Sequence, residues 1–215
     1  MSDSFRYDPP REPWLNILYK DRDIMVVDKP SGLLSVPGRI HSDSILERVR
    51  ASCNAYAVHR LDMDTSGLLL IALRRKAERN LQEQFRKRMV KKRYVALVVG
   101  SMSLDSGEIR APLSRCSGTP PRSIVDFENG REAMTGYKVL QRLESRTRVM
   151  LFPKTGRSHQ LRVHLCSLGH PIVGDRFYGQ HGLVQKERLM LHAAYLSFLH
   201  PYHQKRQEFS IPAPF

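Results

Sequence analysis

Short apolar runs, separated by polar or Pro- and Gly-containing stretches, dominate the pattern of this chain. Runs of this length are typical of β-strands, because a helix needs a longer stretch with apolar residues on one face. The run at 67–73 is apolar at nearly every position, which predicts a strand buried on both faces. Strands are predicted in this way at 17–19, 24–27, 67–73, 94–99 and 147–152.

Helical spacing appears in two segments of the first half. Ser44 and Glu47 have the spacing of a capping box, which predicts the start of a short helix. Between 74 and 92, apolar residues recur every four positions and would form one stripe along a helix. The members of this stripe are Ala77, Leu81, Phe85 and Met89.

A third helix is predicted after the turn at 153–157. Ser158 is in a position to cap it, and Gly169 is expected to end it. The apolar residues between them, Leu161, Leu165 and Leu168, would share the buried face of this helix.

The remaining segments predict the connections and the fold class. Residues 1–13 are polar and contain prolines, so we expect an extended arm before a folded domain at 14–215. Segments 114–122 and 178–187 read as loops, the second of them mobile, and 195–199 with 208–211 as a closing hairpin. Many strands with few, irregularly placed helices indicate an α+β fold. We expect a mixed, mainly antiparallel central sheet, flanked by helices and loops around a basic cleft.

The composition changes this picture by indicating the partner. Lys and Arg number 35 against 21 Asp and Glu, a formal charge of +14, and 41% of the 215 residues are hydrophobic. Such a globular, basic chain attracts phosphate backbones. Three widely spaced cysteines and the lack of a signal peptide or a long apolar run predict a cytoplasmic protein without a membrane contact. No protein partner is predicted, and we expect a monomer.

The basic residues are concentrated on the helix predicted at 74–92 and just after it. They greatly outnumber the acidic Glu78 and Glu83, whereas exposed helices usually carry both signs. We therefore favour an RNA-facing surface over a merely solvated face. The residues expected to contact the RNA backbone are Arg75, Arg79, Arg86, Lys91 and Lys92.

Asp62 is the first candidate for chemistry, because it precedes the buried strand at 67–73 in a strongly basic chain. A carboxylate can serve as nucleophile or general base, but a lone Asp also often stabilises a turn. Arg60 would lie on the same face of an extended strand, or else form a surface salt bridge. Asp64, two positions later, could also share that face.

The segment 154–164 is the second candidate. A turn followed by a helix N-terminus favours anions, and Arg162 could pair with a carboxylate there and keep it ionised. Phosphate contact by Arg162 is the alternative. His159 and His164 are five residues apart and so do not share a face as a zinc pair would. With no cluster of Cys or acidic residues, no metal is predicted.

Two further positions complete the candidates. Tyr94 opens a strand beside the basic segment, so it either packs in the core or stacks on a nucleobase. Lys29 lies in a Pro- and Gly-containing turn, which is either structural or places a cation near the cleft.

Together these segments resemble the RluA family of pseudouridine synthases. The resemblance extends from about Trp14 over nearly the whole chain, with four motifs in the family's order. They are Asp28-Lys29-Pro30-Ser31-Gly32, His59-Arg60-Leu61-Asp62, Lys92-Arg93-Tyr94-Val95-Ala96 and 155–164, continued at 169–175. The short members resembled here lack the S4 RNA-binding domain of larger relatives.

The resemblance implies an isomerase that converts uridine to pseudouridine without a cofactor. It implies substrates in 23S rRNA and in the anticodon stem-loop of tRNA, and Asp62 as the catalytic aspartate. Tyr94 would stack on the flipped uracil, Arg162 would pair with the aspartate, and Arg60 would replace the flipped base. The other residues expected to bind substrate are His59, Lys29, Thr65, Lys154, Arg157 and His159. The reaction could proceed by attack at C1′, addition at C6 or formation of a glycal.

Two other functions compete with this interpretation. A non-catalytic RNA-binding or RNA-chaperone domain could retain the fold, in which case Asp62 would be dispensable. A metal-dependent nuclease would need a cluster of carboxylates that the sequence lacks.

Overall fold

The structure is a computed structural model that describes residues 7–118, 122–179 and 188–215. The chain divides into two compact units. The first comprises Met1–Val90 with Ser197–Phe209, and the second comprises Lys91–Leu196 with Ser210–Phe215. The catalytic domain predicted at 14–215 spans both units, and its boundary stays a prediction.

The first unit is built on antiparallel strands. The order is β1 (Ile17–Lys20), β2 (Ile24–Lys29) and β4 (Ser66–Ala72), and the short β3 (Tyr56–Ala57) also pairs with β4. Every residue of β4 is buried, as its apolar sequence predicted. The register pairs Ile24 with Ala72 and Lys29 with Gly67.

Two helices complete the first unit. In α1 (Ile45–Arg50) the N-cap side chain of Ser44 accepts the Glu47 amide, as the capping-box spacing predicted. Helix α2 (Arg75–Arg86) buries Ala77 and Leu81 as expected. It ends before Met89, which is exposed, because Arg88 adopts a left-handed backbone with φ 58°. The predicted stripe was therefore one turn too long.

The second unit contains the longer strands. The order is β11 (Leu191–Leu199), β5 (Lys91–Val99), β10 (Arg146–Pro153), β9 (Met134–Arg142) and β6 (Ser106–Arg110), with the end of β11 belonging to the first unit. Strands β5, β10, β9 and β6 pair antiparallel. Strand β12 (Arg206–Ser210) pairs with β11, which confirms the hairpin predicted near the C-terminus.

Two predictions for the second unit were wrong. The segment expected to be a loop at 114–122 contributes to a hairpin of β7 (Leu113–Cys116) and β8 (Arg122–Val125). Helix α3 (Gln160–Ser167) has His159 and not the predicted Ser158 as its N-cap residue, and Leu168, predicted on its buried face, is its exposed C-cap residue. The loop predicted at 178–187 lies outside the described residues except for Tyr178 and Gly179.

The core of the second unit lies between its strands and α3. Val98, Val149, Leu151 and Leu165 are fully buried in one apolar cluster. Strands with alternating burial and few helices give the α+β, mainly antiparallel architecture that the sequence predicted.

Candidate active site

Asp62 lies in a tight turn directly before β4. The Thr65 amide donates to the Asp62 carbonyl at 3.1 Å, and Asp62 is half-buried while Arg60 is exposed. Neither residue belongs to a strand, so the expectation that Arg60, Asp62 and Asp64 share one strand face was wrong. The buried strand fixes the end of the turn and leaves its carboxylate at the margin of the core.

Lys29 secures this turn from the end of β2. Its side chain is fully buried, and its Nζ donates to the carbonyls of Pro30 at 2.8 Å, Leu33 at 2.6 Å and Met63 at 2.8 Å. Three carbonyl acceptors offset much of the cost of burying an ammonium group. Since Met63 is adjacent to Asp62, Lys29 helps to position the candidate catalytic carboxylate.

Two serines in the loop after β2 bind the backbone on either side of Asp62. Ser35 Oγ donates to the Leu61 carbonyl at 2.8 Å and accepts the Leu61 amide at 3.0 Å. Ser31 Oγ donates to the Asp64 carbonyl at 2.6 Å. The motif 28–32 and the catalytic motif are therefore one hydrogen-bonded assembly, although they lie some thirty residues apart in sequence.

His59 and Thr65 also lie against the same strand. His59 Nε2 accepts the Leu70 amide at 2.9 Å, and its ring stacks on Phe85 with centroids 4.7 Å apart. Thr65 is buried. Both predicted substrate-binding residues thus have structural contacts next to the Asp62 turn.

In the second unit, Tyr94 and Lys92 lie on the same face of β5. Both are half-buried, whereas Lys91 and Arg93 alternate with them and are exposed. Burial lowers the pKa of the Lys92 ammonium. Lys92 therefore differs from the exposed residues predicted to contact the RNA backbone.

The turn before α3 is organised by the buried Gln160. Its Oε1 accepts the Thr155 hydroxyl at 2.7 Å and the Arg157 amide at 2.9 Å. Arg157 Nε donates to the Glu132 carbonyl at 3.0 Å, and Lys154 is exposed. His159 is held in a left-handed conformation with φ 54°. Side-chain hydrogen bonds thus hold this turn in place, and anion binding by it stays a prediction.

Arg162 forms a buried two-point ion pair with Asp175. Its Nε and an Nη atom each donate at 2.7 Å to a different carboxylate oxygen. The side chains are 2% and 0% exposed. The resemblance implied that Arg162 pairs with Asp62, and this pairing stays a prediction, whereas the sequence did not indicate the ion pair with Asp175. The only sequence signal was that Asp175 falls within the stretch 169–175 behind the last motif.

Asp175 also organises an aromatic cluster around Arg162. Its Oδ1 accepts the amides of Phe177 at 2.9 Å and Tyr178 at 3.1 Å. The Arg162 guanidinium lies 5.0 Å from the Phe177 ring centroid and 5.2 Å from that of Tyr178. The Tyr178 hydroxyl is hydrogen-bonded to His159 Nδ1 at 2.8 Å. The arginine is thus held by an ion pair and by contacts with two aromatic rings.

The basic face of α2 is more balanced than its sequence suggested. Arg75 pairs with Glu78 at 3.0 Å, and Arg86 and Lys87 both pair with Glu83. Arg75, Arg79 and Arg86 are nevertheless exposed, so their guanidinium groups remain accessible to a polyanion.

One group of possible metal ligands occurs among the described residues. Asp21, Asp23 and His200 lie close enough together to share an ion. In the structure, however, Asp21 Oδ2 accepts from Tyr19 at 2.8 Å and from His200 at 2.8 Å. These bonds account for the cluster as a hydrogen-bonded turn of the first unit.

A sequence model of a known family, described as RNA pseudouridylate synthase, matches residues 23–167. The chain belongs to this family. The synthase is 50% identical to "Dual-specificity RNA pseudouridine synthase RluA" of Salmonella typhimurium over 214 residues, 97% of this chain and 98% of the relative. It is 47% identical to the protein of the same name from Vibrio cholerae, covering 97% of this chain and 87% of the relative.

Solved structures agree with this family. "Human RNA Pseudouridylate Synthase Domain Containing 1" superposes with a TM-score of 0.84 at 32% identity, covering 97% of this chain and 87% of the human one. "Human RNA Pseudouridylate Synthase Domain Containing 4" gives a TM-score of 0.71 at 27% identity, covering 93% and 88%. The family and fold predicted from the motifs are confirmed, and the synthase is an isomerase that converts uridine in RNA to pseudouridine. Within the described ranges, no helix has the length and apolarity needed to span a membrane.

Proposed function

We propose that this synthase modifies two RNAs, a hairpin-loop uridine of 23S rRNA and a uridine of the tRNA anticodon stem-loop. The support for two substrates is the name of the relatives, "Dual-specificity RNA pseudouridine synthase RluA", which are 50% identical over nearly their full length. The choice of these two RNAs rests on the motif resemblance. We also propose that the protein acts as a monomer in the cytoplasm, without a cofactor.

Asp62 is the catalytic residue of this proposal. The carrying observation is the rigid turn, in which Lys29 and two serines fix the backbone around a half-buried carboxylate. The reaction breaks the bond between N1 and C1′, turns the uracil and forms the bond between C5 and C1′. The proton lost from C5 is balanced by one gained at N1. The C1′, C6 and glycal routes all use a carboxylate at this position.

Tyr94 and Arg162 are proposed to act with Asp62. Tyr94, half-buried on β5, would stack on the flipped uracil. Arg162 would offer its guanidinium as the positively charged partner of a carboxylate. The buried Asp175 keeps its guanidinium in one orientation for this task.

The remaining candidates are proposed either to bind the RNA or to support the turn that carries Asp62. Arg60 is exposed beside the Asp62 turn, where it would enter the stack that the flipped base leaves. His59, Lys29 and Thr65 support this turn. Lys154, Arg157 and His159 are proposed to bind the RNA near the target uridine. The residues proposed to contact the RNA backbone are Arg75, Arg79, Arg86, Lys91 and Lys92.

The test is release of tritium from RNA labelled at uridine C5, using an rRNA hairpin and an anticodon stem-loop. Asp62→Asn should release none, because the amide is a poor nucleophile and base. Asp64→Asn is the matched control, since it removes a neighbouring carboxylate of the same turn. Assays in EDTA separate this reaction from a metal-dependent one.

Three results would overturn parts of the proposal. Full activity of Asp62→Asn would remove Asp62 from the reaction. Release from only one RNA would refute dual specificity. No release by wild type from either RNA, with tight binding retained, would favour a non-catalytic RNA-binding domain.

A further inference from the structure

A group of basic side chains lies around Phe177 in the second unit. Three guanidinium groups lie near its ring: Arg162 at 5.0 Å from the centroid, Arg122 at 5.4 Å and Arg176 at 5.5 Å. The first is buried and bound to Asp175, whereas Arg122 and Arg176 belong to exposed positions. Each cation–π contact at an exposed site is weak. Its main effect here is on the orientation of the Arg122 and Arg176 side chains, and its contribution to stability is small.

The ring that gathers these arginines is itself fixed. The Phe177 amide donates to Asp175 Oδ1 at 2.9 Å, and the Phe177 ring stacks on His159 with centroids 5.7 Å apart. Arg122 donates through Nη1 to the Phe177 carbonyl at 3.3 Å. A guanidinium has five N–H donors, so Arg122 retains others for a ligand.

The neighbouring hairpin is attached to the same group of residues. The Ser123 amide, next to Arg122, donates to the Tyr178 hydroxyl at 2.9 Å, and this hydroxyl also bonds His159. Arg122 is therefore held near Phe177 both by its own side chain and by its neighbour. Two exposed arginines on a fixed support are suited to the tetrahedral oxygens of a phosphate.

We propose that Arg122 and Arg176, oriented by Phe177, form a subsite for one phosphodiester group of the RNA substrate. This inference rests on the proposed function, since Arg162, assigned there to the reaction, contacts the same ring. The bound phosphate therefore belongs to a nucleotide near the target uridine. The net charge of +14 favours such a polyanion over an acidic small molecule.

The experiment combines arginine variants with single neutral linkages in the RNA. A fluorescent RNA hairpin is prepared with one methylphosphonate at each loop position in turn, and its Kd is measured by anisotropy. Arg122→Gln with Arg176→Gln is compared with wild type. Arg110→Gln is the control, because it removes an exposed arginine of the same unit that is paired with Glu108 instead.

If the subsite exists, one linkage weakens binding to wild type by about tenfold when neutralised but leaves the double variant unaffected. The double variant also lowers the log–log salt slope by about 0.7 to 0.9 relative to the control, as expected for one lost phosphate contact. The single variant Arg122→Lys keeps the charge but loses the planar fork. Compared with the double variant, it should show the wild-type salt slope but only part of the wild-type affinity for RNA.

The proposal is overturned if no linkage shows this coupling, or if the double variant binds RNA like Arg110→Gln. Tritium release by wild type is measured on the same hairpins. Release without any coupled linkage would refute the subsite and leave the proposed function intact. A coupled linkage without release would refute the proposed function and retain the subsite.

Discussion

The Asp62 turn and the Arg162 cluster fix their candidate active-site residues by different means. Around Asp62, a buried lysine and two serines donate to backbone carbonyls. Arg162 is held by a buried carboxylate and two aromatic rings. In the first arrangement several hydrogen bonds of moderate strength each contribute to stability, whereas in the second one ion pair contributes most of it. We therefore expect the second to be more sensitive to single substitutions.

The largest effect is expected for Asp175→Ala. It leaves the Arg162 guanidinium buried without its two-point partner, at a cost of about 3–5 kcal/mol in the free energy of unfolding. Urea unfolding measures this change. Asp126→Ala is the control, because Asp126 Oδ1 likewise accepts two backbone amides, at 2.9 and 3.1 Å, but its side-chain partner is Ser114 and not a buried arginine.

A double variant sharpens this prediction. Arg162→Met with Asp175→Leu removes both charges and should regain part of the stability, although the reaction would be lost. A loss for Asp175→Ala no greater than for Asp126→Ala would show that the ion pair is not what holds this region.

Lys29→Met is expected to cost about 3 kcal/mol, because three carbonyls lose a charged donor in a buried position. The turnover rate should fall as well, since the Met63 carbonyl no longer fixes the turn next to Asp62. Thermal unfolding and tritium release are the measurements. Lys20→Met, at the exposed end of β1, should change neither. Unchanged turnover in Lys29→Met would show that the hydrogen bonds of Lys29 stabilise the fold but are not needed for the reaction.

The pH dependence of stability should reside partly in the second unit. Burial, with a smaller contribution from the positive charge of Arg188, lowers the pKa of His192 to about 4. The unfolded chain then binds a proton below about pH 6.5 that the folded chain does not accept until about pH 4. Stability therefore falls as the pH falls through this window, by about 3 kcal/mol at most.

This prediction is checked by urea unfolding between pH 7 and pH 4. His192→Phe should flatten the profile in that window, whatever its effect on stability at pH 7. The exposed His203→Gln serves as control and should keep the wild-type slope. An identical slope in His192→Phe would assign the acid sensitivity to other groups, such as the buried His164, whose pKa is also lowered by burial.

The smallest effect is expected for Ser35→Ala. It removes two hydrogen bonds to Leu61 and should cost about 1–2 kcal/mol. Because the other contacts of the Asp62 turn remain, turnover should fall by less than in Lys29→Met. Turnover and stability are measured for both variants side by side. An equal loss of turnover in Ser35→Ala and Lys29→Met would contradict the idea that several hydrogen bonds each contribute to holding the Asp62 turn.

The parts of this structure that the sequence predicted are those with a local signal. The apolar run of β4, the capping box at Ser44 and the closing hairpin carry their information within a few residues. Strands β6 and β9 were not predicted, because exposed polar residues make up much of both. Met89 has the spacing of the α2 stripe, but the left-handed Arg88 ends the helix first.

The candidate site follows the same rule. The motif residues were identified by resemblance, but their partners depend on contacts distant in sequence. Asp175 follows Arg162 by thirteen positions and lies outside the helix, so helical spacing could not connect them. The sequence left open whether Lys29 belongs to a structural turn or places a cation near the cleft, and only the tertiary structure shows its Nζ bound to three carbonyls. By contrast, the pairing of Arg86 with Glu83 could have been read from its spacing.

The enclosure of Lys29 has a practical consequence for studying this enzyme. An amine reagent reaches exposed lysines such as Lys20 and Lys91 at once, but Lys29 is fully buried and should acquire label only when its loop opens. Mass spectrometry of briefly labelled protein would thus report, at a single side chain, whether the Asp62 turn is intact. Applied to variants or to RNA-bound protein, this native chemical tag would distinguish a damaged active-site loop from a reaction blocked in an undisturbed one.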